Sequence, residues 1–392
     1  MQILISFLSI IFIISIPVFL HELGHYLAAR SVGVRVEKFS IGFPPKFISF
    51  TSVKDGWDIT IFFLRFTNGR LSWAPVMDSH ININGRKGTN TEYVVALIPL
   101  GGYVKMAGAL DESLDTVVTN SPDEFMNKSV PQKLWVLSAG VLMNIFTAFL
   151  LFTGISYVQG KAEASDGPII GELSHGKPAE KAGLKTGDEI TSINGEQIYK
   201  WSDLEQILRP IPDMPIEISI RREGDILNFS FNTSYLVIPV DDGIDTIGII
   251  GIRPEYFYSP VNLGQAIAYG YNGTINSFGL IMLTFQMLGN GQASLNDLGG
   301  PIMIGQIAGE TAKAGWIPLL GFMALISINL AFLNILPVPG LDGGHIFIIL
   351  IESIIKRPLS LKVRLAVQQV GMVLLLMLMV TVMFNDISRL FN

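Results

Sequence analysis

The sequence contains no cysteine. Disulfides and thiolate-held metals are therefore both excluded, and any metal must rest on histidine and carboxylate. Histidine is itself scarce, with 5 in 392 residues. Charge is scarce as well: Asp, Glu, Lys and Arg make up 15% of the chain, against roughly 25% in ordinary soluble domains. The mean hydropathy is +0.46. The net charge is −6 and no basic run stands out, so no nucleic-acid partner is expected. A chain this long and this apolar reads as an integral membrane protein of two or three units, with the lipid bilayer as its main partner.

What is present is a set of long uncharged runs. Ile3 to Leu20 carries no charge, and neither do 134–160, 314–341 and 365–385. Each is long enough to cross a bilayer as a helix, which predicts four spans: 1–30, 134–160, 314–342 and 365–385. No Lys or Arg precedes the first run, which therefore reads as a span and not as a cleaved leader. Segment 30–133 holds 12 basic and 10 acidic residues, whereas 161–313 holds 10 basic and 19 acidic ones. The short link 343–364 carries Lys356, Arg357, Lys362 and Arg364 against Glu352. The excess of Lys and Arg places 31–133 and 343–364 in the cytoplasm and both termini outside. A further uncharged stretch, Tyr256 to Asn296, is rich in Asn, Gln and Gly. Segment 255–312 is read as external helices lying in the membrane interface.

The first span ends in His21-Glu22-Leu23-Gly24-His25. On a helix, residues four apart share a face, so both imidazoles can hold one metal ion with Glu22 beside them as general base. Ionisable groups at the edge of a bilayer mark a functional site by default. A catalytic zinc site needs a third protein ligand, and the candidate is Asp342, in Asn334-Ile-Leu-Pro-Val-Pro-Gly-Leu-Asp342-Gly-Gly-His345. Pro337 and Pro339 break the helix there. If the first span runs inward and the third does too, Asp342 arrives at the depth of the histidines. A fifth crossing at 256–296 would put it on the wrong side.

Thr91 to Met106 alternates β-branched and aromatic residues up to Pro99 and resumes after Gly101-Gly102 with Tyr103, Val104 and Lys105. This is a strand pattern. Residues 167–173, 188–195, 215–221 and 226–231 also read as strands, with short helices at 178–184 and 202–208. Ser202 is the expected N-cap of the second helix, and Asn194-Gly195 a hairpin turn. Asn334 reads either as a substrate-binding amide or as a packing amide. Asn144 reads as packing. His345 stands three residues past Asp342 beside two glycines and is not expected to ligate. His80 and His175 read as surface histidines.

HELGH with NILPVPGLDGG resembles the site-2 protease family of intramembrane zinc metalloproteases, in particular the bacterial regulator-of-sigma-E protease branch. FSIGF at 39–43, TEYVVALIPLGGYVKMAG at 91–108, SAG…N at 138–144 and GGPI at 299–302 carry the likeness along the chain. PAEKAGLKTGDEITSINGEQI resembles a bacterial PDZ domain, bounded at 163–237. The tract 45–90 is longer and more polar than that branch leads one to expect.

The resemblance implies one zinc ion held by His21, His25 and Asp342, with Glu22 as catalytic acid/base. It implies a membrane-re-entrant β element at about 91–108 whose residues Gly101, Gly102, Tyr103, Val104 and Lys105, helped by Asn334, bind an unwound substrate. It implies a PDZ peptide edge at Pro168, Ile169, Ile170 and Gly171. The implied fold is an α-helical integral membrane protein with four transmembrane helices, that re-entrant element and one external α/β PDZ domain. The implied place is the bacterial inner (plasma) membrane, with the PDZ domain periplasmic and the active site near the cytoplasmic side. Its expected substrates are single-span membrane proteins, such as an anti-sigma factor already trimmed by a site-1 protease, or a remnant signal peptide. The alternatives are a non-catalytic PDZ membrane scaffold and a metal transporter.

Overall fold

The computed structural model describes residues 2–67, 70–109, 121–240, 243–292, 294, 298–357 and 359–391. In chain order it begins with helix α1 (Gln2–Ser31), strands β1 (Val36–Val53), β2 (Gly56–Thr67), β3 (Arg70–Asn82) and β4 (Glu92–Met106), and helix α2 (Val130–Gln159). There follow β5 (Lys161–Ala164), β6 (Ile170–Leu173), α3 (Pro178–Ala182), β7 (Glu189–Ile193), β8 (Glu196–Gln197), α4 (Trp201–Leu208), β9 (Pro215–Arg222) and β10 (Asp225–Asn232). Then come β11 (Ser234–Val240), β12 (Gly243–Ile249), β13 (Ile252–Pro254) and β14 (Tyr256–Ser259). The chain ends with α5 (Leu263–Gly289), α6 (Pro301–Ala314), α7 (Trp316–Ile335), α8 (Asp342–Ile355) and α9 (Leu361–Phe391). Two compact units result: Met1–Ile155 with Ile267–Asn392, and Ser156–Ala266.

Among the described residues of the first unit, four helical segments are long and apolar enough to cross a membrane: Leu4–Ser31, Val130–Gln159, Trp316–Ile335 and Lys362–Arg389. Lipid-immersed helices associate through small residues that let backbones approach. Gly24 of α1 shows this: a Cβ there would lie 3.0 Å from both the Ala139 carbonyl carbon and Met143 Cβ of α2. Ile13, Ala308, Leu319 and Met323 form the buried contact among α1, α6 and α7.

One face of the segment expected as external interfacial helices packs against the helix bundle. Gly270 of α5 sits on Thr153 of α2 and Gly273 on Phe152, while Phe278 and Ile281 join Ala148, Ala324 and Ile328. Phe278 and Phe285 both meet the ring of Phe332 on α7, at 5.4 and 4.9 Å. On α6, Gly305 faces Ile10 and Gly309 faces Ser6. Later residues of α5 thus meet earlier residues of α2, and later residues of α6 meet earlier residues of α1. The glycines permit these approaches, while most of α5 stays exposed.

Pro337 and Pro339 shape the third span as their chemistry requires. Helix α7 stops at Ile335, and six non-helical residues, 336–341, separate it from Asp342, which instead opens α8. Proline cannot donate to the helix ladder and crowds the preceding turn. The stretch expected as a plain cytoplasmic link is therefore mostly the 14-residue helix α8.

The loop after α1 is a sheet in the order β3-β2-β1-β4. β1 and β4 each fold back on themselves. Ile48 to Thr51 pairs with Val95 to Glu92, and Ile41 to Val36 pairs with Gly102 to Met106. The second half of β4 is thus a sheet edge with β1 on one side. The tract 45–90, whose role the sequence left open, supplies β2 and β3.

The second unit is built around Ile170, Ile190, Ile193, Ile218 and Ile220, all fully buried. Truncating one of these to alanine would cost about 2–5 kcal/mol. Its main sheet has the order β10-β9-β7-β8. Asn194 and Gly195 both take positive φ, 50° and 85°, in the tight turn joining β7 to β8. Two expectations need correction. Ser202 does not cap α4: the helix begins at Trp201, and the Asp203 carboxylate accepts from the N–H groups of Tyr199 and Lys200 at 3.1 and 2.9 Å. Acidic side chains suit this end of a helix. The stretch Pro168, Ile169, Ile170 and Gly171 is not an open peptide edge. β13 pairs with it on one side through Pro254↔Ile170, and Ile170 N–H and Pro168 C=O bond Asp188 and Ile190 on the other. The chain returning at 252–254 fills the place a ligand strand would take.

Candidate active site

Helix α1 carries His21 and His25 one turn apart on its buried face. Their Nε2 atoms are 3.1 Å apart. Asp342, at the start of α8, brings Oδ2 to 3.1 Å from His21 Nε2 and 3.2 Å from His25 Nε2. Among the described residues these three form the group of His, Asp or Glu side chains able to share one ion. Atoms bonded at about 2.0–2.1 Å to one tetrahedral zinc stand about 3.3 Å apart, so the nitrogen and oxygen donors fit such an ion.

The far sides of both rings are also held. His25 Nδ1 lies 2.8 Å from the carbonyl oxygen of Val136, which only accepts, so Nδ1 carries the proton and Nε2 keeps its lone pair. His21 Nδ1 lies 3.2 Å from the side-chain amide of Asn144, a fully buried residue of α2. Asn144 Oδ1 otherwise has no partner. A 180° turn of the amide, equivalent in shape, lets Oδ1 accept from His21 Nδ1–H and puts Nδ2 in the position that has no partner. Ser327 of α7 bonds the Asn144 backbone carbonyl at 2.9 Å and ties the two helices at this level.

Gly140 makes room for the rings. A Cβ at this position would come within 2.7 Å of His21 Nε2 and 2.6 Å of its Cε1. In the sequence Gly140 stands only as part of the SAG…N likeness, and Asn144 reads as a packing amide in preference to a substrate-binding one. The SAG…N pattern at 138–144 was the signal, but two helices had to be brought together before it could be read.

One cavity of about 640 Å³ contains the metal triad, Glu22, Gly102, Tyr103, Val104, Lys105 and Asn334. Gly101 is buried beside it, where a Cβ would strike the Phe43 ring at 2.6 Å. Gly102 lies beside Glu22, where a Cβ would make ordinary contact with Glu22 Cγ at 3.6 Å, and its close approach is to the Ser40 carbonyl of β1. His345 lines the same cavity but stands outside the triad. At the other end, the Arg364–Glu352 pair closes at 2.6 Å with both side chains largely buried. His80 is half-exposed and paired with Asp58, and His175 is almost fully exposed beside Glu180.

The sequence profile described as "Peptidase family M50" matches residues 9–71 and 77–378. The chain belongs to that family. The M50 protein "Regulator of sigma-W protease RasP" of Bacillus subtilis is 29% identical over 427 residues, covering 98% of each chain. "Zinc metalloprotease RasP" of Bacillus licheniformis is 30% identical over 426 residues, covering 98% of this chain and 99% of that one. Among solved structures, the PDZ domain of the SdrC-like protein from Listeria monocytogenes covers 23% of this chain and 88% of its own, at 18% identity and a TM-score of 0.19. The M50 chain is thus a zinc metalloprotease of the intramembrane, site-2 type, with Zn2+ as its cofactor. Its four apolar helices make it an inner-membrane protein. Enzyme, not scaffold or transporter, is the reading that stands.

Proposed function

We propose that this protease cleaves single-span membrane proteins in or near their transmembrane segments, with His21, His25 and Asp342 holding zinc and Glu22 moving the protons. The observation that carries the reading is the convergence of three ligand atoms from α1 and α8, all within 4.8 Å, beside a sheet edge. Zinc, when bound, supplies Lewis acidity that lowers the pKa of a water to near 7. Glu22 takes the proton released as water attacks the scissile carbonyl, and hands it to the leaving amine.

A helical substrate must first be opened. Its carbonyls are hydrogen-bonded, and unpaired backbone groups in lipid cost several kcal/mol each. The edge Gly102–Met106 offers strand partners to the unwound segment, a form of β-augmentation. Gly102 puts that edge beside Glu22, Gly101 precedes it against Phe43, and the Asn334 amide bonds the freed substrate backbone. This sheet is the membrane-re-entrant element.

The orientation follows from charge and helix direction. α1 runs inward and α2 outward. α5 dips inward along α2 and α6 returns outward along α1, so α7 again enters from outside and delivers Asp342 to the inner level of the histidines. Both termini and the unit Ser156–Ala266, read as the PDZ domain, are then periplasmic. The relative from Bacillus subtilis is named a regulator of sigma-W protease. A trimmed anti-sigma factor is accordingly the first substrate class to try, with a remnant signal peptide second and a site-1 protease acting before this one.

Purified protein is assayed for zinc and for cleavage of a model single-span substrate, beside Glu22→Gln. Zinc at one per chain with cleavage abolished in the variant supports the assignment; normal hydrolysis by Glu22→Gln overturns it. Deleting 163–237 separates two roles of the external domain. Cleavage of untrimmed substrate marks a size filter, and loss of cleavage of trimmed substrate marks recognition.

A further inference from the structure

The catalytic cavity does not end at the metal triad. Lys133 of α2, Glu352 of α8, and Arg364 and Gln368 of α9 line it as well. Helix spacing measures how far they lie from the triad. On α2, Lys133 stands about two turns before Gly140, which packs against His21, so both face the same side about 10 Å apart. On α8, the rise from Asp342 to Glu352 is about 15 Å. The strand edge spans the same interval: Gly102 lies beside Glu22, and Met106 pairs with Val36 just past the end of α1. An extended chain covers that interval in about three to five residues, at about 3.3 Å each.

The charges at this end do not cancel. Glu352 is fully engaged: it pairs with Arg364 at 2.6 Å and accepts from the Leu359 N–H at 2.8 Å. Arg364 is not. It is 9% exposed, and its Nε has no partner. Its other contact is with Met126 Sδ at 3.2 Å, a weak acceptor. Lys133 belongs to no ion pair among the described residues, although its ammonium lies near enough to interact with both Arg364 and Glu352. Lys38, elsewhere on the wall, is neutralised by Glu92 at 3.3 Å. Lys133 and Arg364 thus face a single anion, and charge in a poorly hydrated wall is costly unless it is paired. Gln368, buried one turn beyond Arg364, adds a neutral amide.

We infer that Lys133 and Arg364 form a carboxylate subsite that takes an Asp or Glu of the substrate, on the cytoplasmic flank of the cleaved bond and about three to five residues from it. The inference rests on the proteolytic reading, because the occupant is a substrate strand laid along Gly102–Met106. The Arg364 Nε–H and the Lys133 ammonium supply charge-assisted donors to the carboxylate. One such anion brings the group of Lys133, Arg364 and Glu352 to neutrality. A substrate Lys or Arg at the same place would add a third cation and be repelled. Membrane spans ordinarily carry Lys and Arg on their cytoplasmic flank. The subsite therefore spares ordinary spans and selects those whose inner flank is acidic.

The test leaves Arg364 in place, because its loss would strand the Glu352 carboxylate. Full-length zinc-loaded Glu22→Gln protein in phosphatidylcholine nanodiscs is titrated with fluorescent single-span peptides. These place Asp, Asn or Lys at each residue of the cytoplasmic flank in turn. At one position the Asp peptide is expected to bind about ten-fold more tightly than the Asn peptide, and the Lys peptide more weakly than either. Adding Lys133→Gln is expected to remove most of the Asp advantage, and adding Lys133→Glu to reverse the order, with zinc content unchanged in both. Affinity independent of charge at every position would overturn the inference, as would be seen if a lipid phosphate filled the subsite. An Asp preference undiminished in both Lys133 variants would also overturn it, since the carboxylate would then be held elsewhere. Cleavage of the same peptides by the parent reports separately: charge-ordered binding without cleavage would strike the proteolytic reading and leave the subsite.

Discussion

The side-chain amide of Asn144 meets Nδ1 of His21 at 3.2 Å, joining residues 123 positions apart in the sequence. This contact fixes which nitrogen of His21 faces the metal. Groups behind a metal ligand typically contribute 10–100-fold to affinity. Asn144→Ala is therefore expected to weaken zinc binding by about 10–100-fold, read by competition with a chromogenic chelator. Asn144→Asp keeps an acceptor and should retain most of the affinity. Equal affinity in the alanine variant and the parent would show that the contact is packing alone.

Zinc binding and catalysis should separate cleanly. Glu22→Gln is expected to keep its metal and lose about 10²–10⁴-fold in cleavage rate. Asp342→Ala should lose the metal itself, seen as reduced zinc by elemental analysis. Chelation should silence the parent enzyme, and added zinc should restore it. A chelated enzyme that still cleaved would contradict the mechanism.

Two glycines should respond differently to an added methyl. Gly140→Ala drives a Cβ toward His21 Cε1 at 2.6 Å and is expected to empty the metal site while the helices still form. Gly102→Ala leaves the triad alone but presses the edge strand onto the Ser40 carbonyl. A displacement of this size near the reacting atoms is expected to lower kcat/KM by about 10²-fold with zinc content unchanged. Loss of zinc in Gly102→Ala would place that residue in the metal site and not at the substrate edge.

The second unit should show an acid-sensitive lock. Burial alone would raise the Asp188 carboxyl, but hydrogen bonds from Arg222, 2.7 Å away, and from the Lys185 N–H hold it below the usual range. A depressed folded-state value stabilises the unit fully above the unfolded value of about 3.9. That contribution is lost as pH falls through the folded value. Hydrogen exchange over 167–232 should therefore accelerate below about pH 4 in the parent, and much less steeply in Asp188→Asn, which should already exchange faster at pH 7. Parallel acid limbs in the two proteins would argue that another group sets the transition.

The four spans, the His21–Glu22–His25 face and the strands of 167–231 were legible because each depends on local pattern: run length, a period of four, alternation and turn chemistry. Asp342 could be paired with the histidines from charge bias and helix direction. The misreadings have a common cause. Pro168–Gly171 looks like a free edge until the chain returns at 252–254, and Ser202 looks like a cap although the helix already begins at Trp201. In α5, Gly270 and Gly273 meet Thr153 and Phe152 of α2, a contact that no local pattern announces.

By itself, the sequence determined the ligand chemistry, because without cysteine only histidine and carboxylate remain to hold a metal, and it determined which segments lipid would accept. Only the tertiary structure decided that Asn144 orients a ligand, that Gly140 leaves the space for it and that 56–82 pairs as a hairpin. Those outcomes depend on distances between segments far apart in the chain, and local residue pattern carries no record of such distances.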